Sequence, residues 1–220
     1  MLLNTFLPNY LIREIHHFAV RAEPVETYRT ICGFDMASVP WIRALFQLRT
    51  ILDSEPITQL TLRDAYTKGR FVRLSEVPDE ELVVGATGKI WRPSIQFKQV
   101  QPEDFANFNQ AGYGKVAWSM RCEMRKGGGT LVTFEIRIGA TDAYSTAKMK
   151  SYFSLIGPFS RAIRRSVFKE IGKQLGDIFK AEVTRNMPGD EVIERPAIQE
   201  TTGITIEAPL QTIWPWLVQM

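Results

Sequence analysis

Gly114-Lys-Val-Ala-Trp-Ser-Met-Arg-Cys-Glu-Met-Arg125 and Thr130-Leu-Val-Thr-Phe-Glu-Ile-Arg-Ile-Gly-Ala-Thr-Asp142 are two long runs joined by Lys126-Gly127-Gly128-Gly129. Within each run the larger apolar side chains recur at every second position, the period of a strand. The consecutive glycines supply the positive φ that a tight reversal needs. The stretch therefore predicts a long antiparallel hairpin. Directly after it, Ala143 to about Val183 takes helical spacing, with Ile163, Val167, Ile171, Leu175 and Ile178 on one stripe. An interruption is expected at Gly157-Pro158. A hairpin running into one long amphipathic helix decides the class: a helix lying across a curved antiparallel sheet, a two-layer α+β solution.

Upstream, Ser94 to Val100 reads as a further strand, and Pro102-Glu103-Asp104-Phe105 as a turn with a helical turn after it. Phe71 to Val77 and Leu82 to Trp91 form a hairpin around Pro78-Asp79-Glu80. Nearer the start, His16 to Ala22 alternates as a half-buried strand. Pro24 then opens a short helix carrying Val25, Tyr28, Ile31 and Cys32 and stopping at Gly33. A second short helix follows, capped by Ser38 and carrying Pro40, Trp41, Ile42, Leu45, Phe46 and Arg49. The order is β-α-α-β-β-β-β-β-α. With two short helices plugging one end of a sheet bent around the long helix, the interior can stay open as an apolar cavity.

The composition agrees with a soluble globular protein: 220 residues, 45% hydrophobic, 23% charged, net charge +3. So weak and dispersed a basic excess does not point to nucleic acid. Cys32 and Cys122 lack any metal-ligand spacing and read as reduced core thiols. No basic leader precedes the first apolar residues, and no run of about 18 apolar residues exists, so no signal peptide, no transmembrane segment and a cytoplasmic setting are expected.

Several short motifs carry a family resemblance: Leu7-Pro8, Glu14-x-His16, the Ala22-x-Pro24 step, Leu45-x-x-Leu48-Arg49, Gly85-x-x-Gly88-x-x-Trp91, Glu135-x-Arg137-x-x-Ala140-Thr141-Asp142 and Tyr152-x-x-x-Ile156-x-Pro158. Over residues 6–182 the chain resembles bacterial members of the SRPBCC superfamily, which groups START lipid-transfer domains, pollen-allergen-like proteins and polyketide cyclases. The resemblance implies a helix-grip fold and an apolar pocket, but no single reaction. At the end, residues 202–220 repeat the opening strand and helix: Phe18, Val20, Ala22, Tyr28 and Ile31 correspond to Ile204, Ile206, Ala208, Trp214 and Leu217. That segment resembles the start of a second such domain, with 183–201, rich in Glu, Pro and Thr, as linker. Too apolar to stand free and too short to build a core, it is expected to dock on this chain or exchange between two chains as a homodimer.

Candidate chemistry is sparse. His16 shares its strand face with Phe18 and Val20; it is either a satisfied core histidine or a proton donor and acceptor in a pocket. His16 and His17 point to opposite faces and cannot chelate together, so no metal and no cofactor is expected. Strand alternation turns Glu135 and Arg137 toward water, whereas the resemblance places such a pair inside a cavity, where it could polarise a carbonyl. Trp91, Phe97, Trp118, Met120, Met124, Tyr152, Phe153 and Ile156 are core or pocket lining for a flat hydrophobe. The basic outer side of the last helix, Arg161, Arg164, Arg165, Lys169 and Lys173, reads as a solvated face or a membrane-facing one. There is no G-x-S-x-G elbow and no phosphate loop. The expected function is binding of a hydrophobic small molecule or lipid between sheet and long helix. The alternatives are a cyclase- or dehydratase-like enzyme on an apolar carbonyl compound, using His16, Tyr152, Glu135 or Arg137, and an interaction module with a filled core.

Overall fold

The computed structural model describes residues 2–50, 61, 71–92, 95–125 and 127–176, with residues 46–50 by backbone alone. The linker and the strand-helix repeat at 183–220 lie outside the described residues. Six strands form one antiparallel sheet: β1 (Ile12–Val20), β2 (Val72–Val77), β3 (Glu81–Lys89), β4 (Gln96–Lys98), β5 (Gly114–Met124) and β6 (Thr130–Ala140). Their spatial order is β1-β6-β5-β3-β2, and β4 pairs with the far end of β3 at Thr87 to Lys89. The long hairpin is in register from Gly114↔Ala140 to Met124↔Thr130. Its turn relies on Gly129, at φ 76°, packed so tightly beneath the Val20 carbonyl that no Cβ fits there.

Helix α1 (Leu3–Phe6) precedes β1, and α2 (Pro24–Gly33) and α3 (Pro40–Thr50) follow it, with a 3-10 turn at Met36–Ser38 between them. Then α4 (Pro102–Phe105) leads into β5, and α5 (Ala143–Leu175) closes the described chain. The α+β class, the antiparallel sheet and the long last helix are as the periodicity predicts. Three details of β1 and α5 differ. First, β1 begins at Ile12 rather than His16, because Glu14 breaks the apolar alternation while still turning toward α5. Second, α5 runs through Gly157-Pro158 without a break. Pro158 and Ser154 are both exposed, so water satisfies the carbonyl that loses its partner. Third, α5 ends at Leu175, where Gly176 takes the left-handed conformation at φ 76°; the rest of the expected helix, to about Val183, lies outside the described residues.

The sheet is covered on both faces. Against α5 and α2 pack Val20, Tyr28, Ile31, Leu82, Val84, Trp118, Met120, Val132, Val167 and Ile171. The start of α5 is fixed by Asp142, whose carboxylate accepts from Ser145 N at 2.8 Å and from Gly112 N. On the opposite face, Leu3 and Leu7 of the N-terminal segment join Leu74, Val83, Val100, Phe105 and Ala117 in a second cluster.

Candidate functional site

The layer between sheet and long helix is sealed at its ends and loose in the middle. On β6, Val132 and Ile138 are fully buried, yet Phe134 and Ile136, between them on the same face, are only half-buried. The helix repeats the pattern: Met149 and Ile171 are fully buried, whereas Tyr152, Phe153, Ile156 and Ile163 are half-buried. Side chains sandwiched between layers in contact are inaccessible to water. The two layers are therefore less closed across the middle turns of α5 than at their ends, and the partly accessible apolar side chains there outline a shallow cleft.

One side of the cleft is aromatic. Trp118 stacks on Phe134 at 5.6 Å between ring centroids, Phe134 meets Phe168 of α5 at 5.5 Å, and Phe168 stacks on Phe18 at 5.0 Å. Next to these rings along β1 lies a polar group built by register, since Glu14 stands beside Ile136 and His16 beside Phe134, with His16 itself tilted against Phe168 at 6.0 Å. Above these two, Arg161 Nη1 donates to Glu14 Oε1 at 2.6 Å, and Arg164 Nη2 donates to the other carboxylate oxygen. Arg164 Nη1 donates to Ser160 Oγ at 2.6 Å, and its Nε lies 3.4 Å from His16 Nε2. Burial and the neighbouring Arg164 hold the His16 pKa below its ordinary value. The neutral imidazole is thus favoured, with Nε2 an acceptor facing Arg164.

The residues singled out in the sequence fall in different places. Trp118 and Met120 are buried on the α5 side of β5. Tyr152 and Phe153 pack edge-on at 5.3 Å near the opposite end of the cleft from Phe168, in a cluster that also holds Trp91, Met149 and Ile138. Ile156 belongs to the half-buried middle turns of α5. Phe97 sits on β4 opposite Gly88, on the same sheet face as Val84 and Trp118, and tilts at 6.2 Å against Phe71, which packs on the edge of that core. Met124 is 59% exposed at the tip of the long hairpin and lines nothing.

Glu135 and Arg137 answer to neither expectation. They are 0% and 4% exposed, so they do not face water, and they lie on the sheet face turned away from α5. Arg137 Nε donates to Glu135 Oε1 at 2.6 Å, Nη1 to the Leu7 carbonyl at 3.0 Å and Nη2 to Asn4 Oδ1 at 2.6 Å. Arg13 completes the set with two bonds to Glu135. Burial would raise the Glu135 carboxyl, but hydrogen bonds from the two guanidiniums outweigh it and the pKa lies below the usual value. The pair anchors the N-terminal segment and takes no part in the cleft. His17 likewise faces away, 3.0 Å from Thr133 Oγ1.

Cys32 and Cys122 are buried thiols not joined in a disulfide; burial pushes the Cys122 thiol up to about 12, far from a nucleophile at neutral pH. Among the described residues no helix is long and apolar enough to cross a membrane, and no group of three or more His, Cys, Asp or Glu side chains could hold a metal.

The sequence reading did not single out Glu14, Phe134, Ile136, Ser160 and Phe168 as site residues, and it placed Arg164 on the outer face of its helix. A signal for the last was present: Ser160 and Arg164 continue, toward the N-terminus, the four- and three-residue spacing of Val167 and Ile171. Comparison of the chain with protein-family models, with curated proteins and with solved structures gave no match.

Proposed function

We propose that the chain is a helix-grip domain that binds a hydrophobic small molecule in the cleft between the sheet and α5, as its resemblance to the SRPBCC superfamily implies. The observation that carries this reading is the half-burial of Phe134 and Ile136 between the fully buried Val132 and Ile138. Two large apolar side chains left accessible in the middle of a core face supply a driving force for an apolar guest, about 2.5 kcal/mol for each 100 Å² removed from water, before the costs of association. The stacked rings around Phe134 suit a flat or chain-like molecule.

An enzyme that polarises a carbonyl is less well supported, because its candidate groups do not converge. Glu135 and Arg137 lie on the far side of the sheet from Tyr152, and His16 is engaged by Arg164. The test of binding uses Nile red, a neutral dye whose emission reports apolar surroundings. The full chain is expected to bind it with a blue shift, and Ile136→Trp, which fills the cleft, to weaken binding about tenfold or more at an unchanged fold. Wild-type affinity in a folded Ile136→Trp protein would place the dye elsewhere and overturn the reading.

A further inference from the structure

The polar side of the cleft carries more positive than negative charge. The charged groups surrounding His16 are three guanidiniums, Arg161, Arg164 and Arg165, against one carboxylate, Glu14. Arg164 is nearly buried, its side chain 11% exposed, and all three of its nitrogens are engaged by Glu14, Ser160 and His16. Arg161 differs. Its side chain is 42% exposed, and in the hydrogen bonds of the described residues it spends only Nη1, on Glu14. It is also held in place, lying across the helix backbone at Gly157, where an added Cβ would stand 3.3 Å from Nη1. The apolar neighbour of this corner is fixed by strand pairing, since Glu14, the carboxylate under Arg161, is the register partner of the half-buried Ile136.

A fixed guanidinium with spare donors, beside an accessible apolar floor and in surplus positive charge, matches a molecule with an anionic head on an apolar body. We infer that the cleft selects amphiphilic monoanions, with the head, a carboxylate for instance, bound by the open side of Arg161 and the body laid over Ile136 and Phe134. Glu14 serves as a positioning residue, turning Arg161 inward and leaving its other edge free. The inference rests on the binding proposed above and adds the charge of the ligand.

Displacement of Nile red from the full chain by dodecanoate, dodecanol and dodecylamine separates the two claims. Charge-assisted hydrogen bonding at a half-exposed site predicts that dodecanoate binds about tenfold tighter than dodecanol, with dodecylamine weakest. Arg161→Gln is expected to reduce the preference for dodecanoate over dodecanol to about twofold. Arg161→Lys, which keeps the charge and loses the fork, falls between them. The exposed position of Arg161 keeps both variants folded, and circular dichroism checks this. Equal affinities for dodecanoate and dodecanol in the wild type would overturn the anion preference while leaving apolar binding intact. A preference that survives Arg161→Gln would overturn the assignment to Arg161. Failure of all three amphiphiles and of the dye to bind would remove both claims.

Discussion

Arg137 donates from all three of its nitrogens while stacked 4.8 Å over the ring of Tyr10, so one buried side chain ties β6 to the start of the chain. Removing one partner of a buried pair leaves an uncompensated charge, which costs about 3–5 kcal/mol. Because Arg13 still pairs with Glu135, Arg137→Met is expected to lose toward the lower end of this range in urea denaturation, and Arg13→Met, whose side chain is 41% exposed, clearly less. Similar small losses for both would show that the pair is not the anchor. The pair was visible in the sequence but its surroundings were not. Alternation assigns Glu135 and Arg137 to one face, and the rule that an antiparallel sheet keeps one wet face then puts them in water. Nothing local to β6 shows that residues 3–7 return to cover that face. His16 gives a second residue-scale expectation. Its lowered folded-state pKa means that the unfolded chain binds the proton more readily, so stability declines as pH falls below about 6.5 and levels off beneath the folded value. His16→Gln should match the wild type near pH 8 and show less of this decline between about pH 6.5 and 5. An identical decline would assign it to other groups.

At the scale of elements, periodicity located the longer strands because each shows its period, and it missed α1 because four residues show none. It also broke the long helix where the chain does not. The expectation at Pro158 is sound chemistry applied to the wrong environment, since a lost N–H matters less where the orphaned carbonyl of Ser154 faces solvent. The proline still costs the helix a hydrogen bond. Pro158→Ala should therefore stabilise the protein by about 1–3 kcal/mol, seen as a higher urea midpoint at an unchanged slope. A lower midpoint would mean that α5 needs the ring where it is.

For the molecule as a whole, the legible part was the class, one sheet and one long helix. The cleft was not legible. Periodicity says which face of β6 turns toward α5, but not how completely α5 covers each residue on it. Of the candidate lining residues, Trp118 stacks on Phe134 and Phe97 tilts against Phe71, whereas Met124 is exposed at the hairpin tip. The expectation for residues 202–220 also belongs to this scale. If they exchange between two copies, light scattering will give a dimer for the full chain and a monomer for a chain ending at Val192. Equal masses per chain for the two would rule exchange out.

The sheet order places β1 against β6 alone, with Ile12 opposite Ile138 and Val20 opposite Thr130. A ribosome making this chain at 5–20 residues per second delivers the partner of the first strand on the order of ten seconds after the strand itself. The β2, β3, β5 and β6 ladder is local by comparison and can assemble as it emerges. Loop closure over most of the domain must precede the last pairing, which makes β1 docking the slow step of folding. The aromatic wall at Phe18 and the polar one at Glu14 and His16 both ride on that strand, so the cleft is finished last.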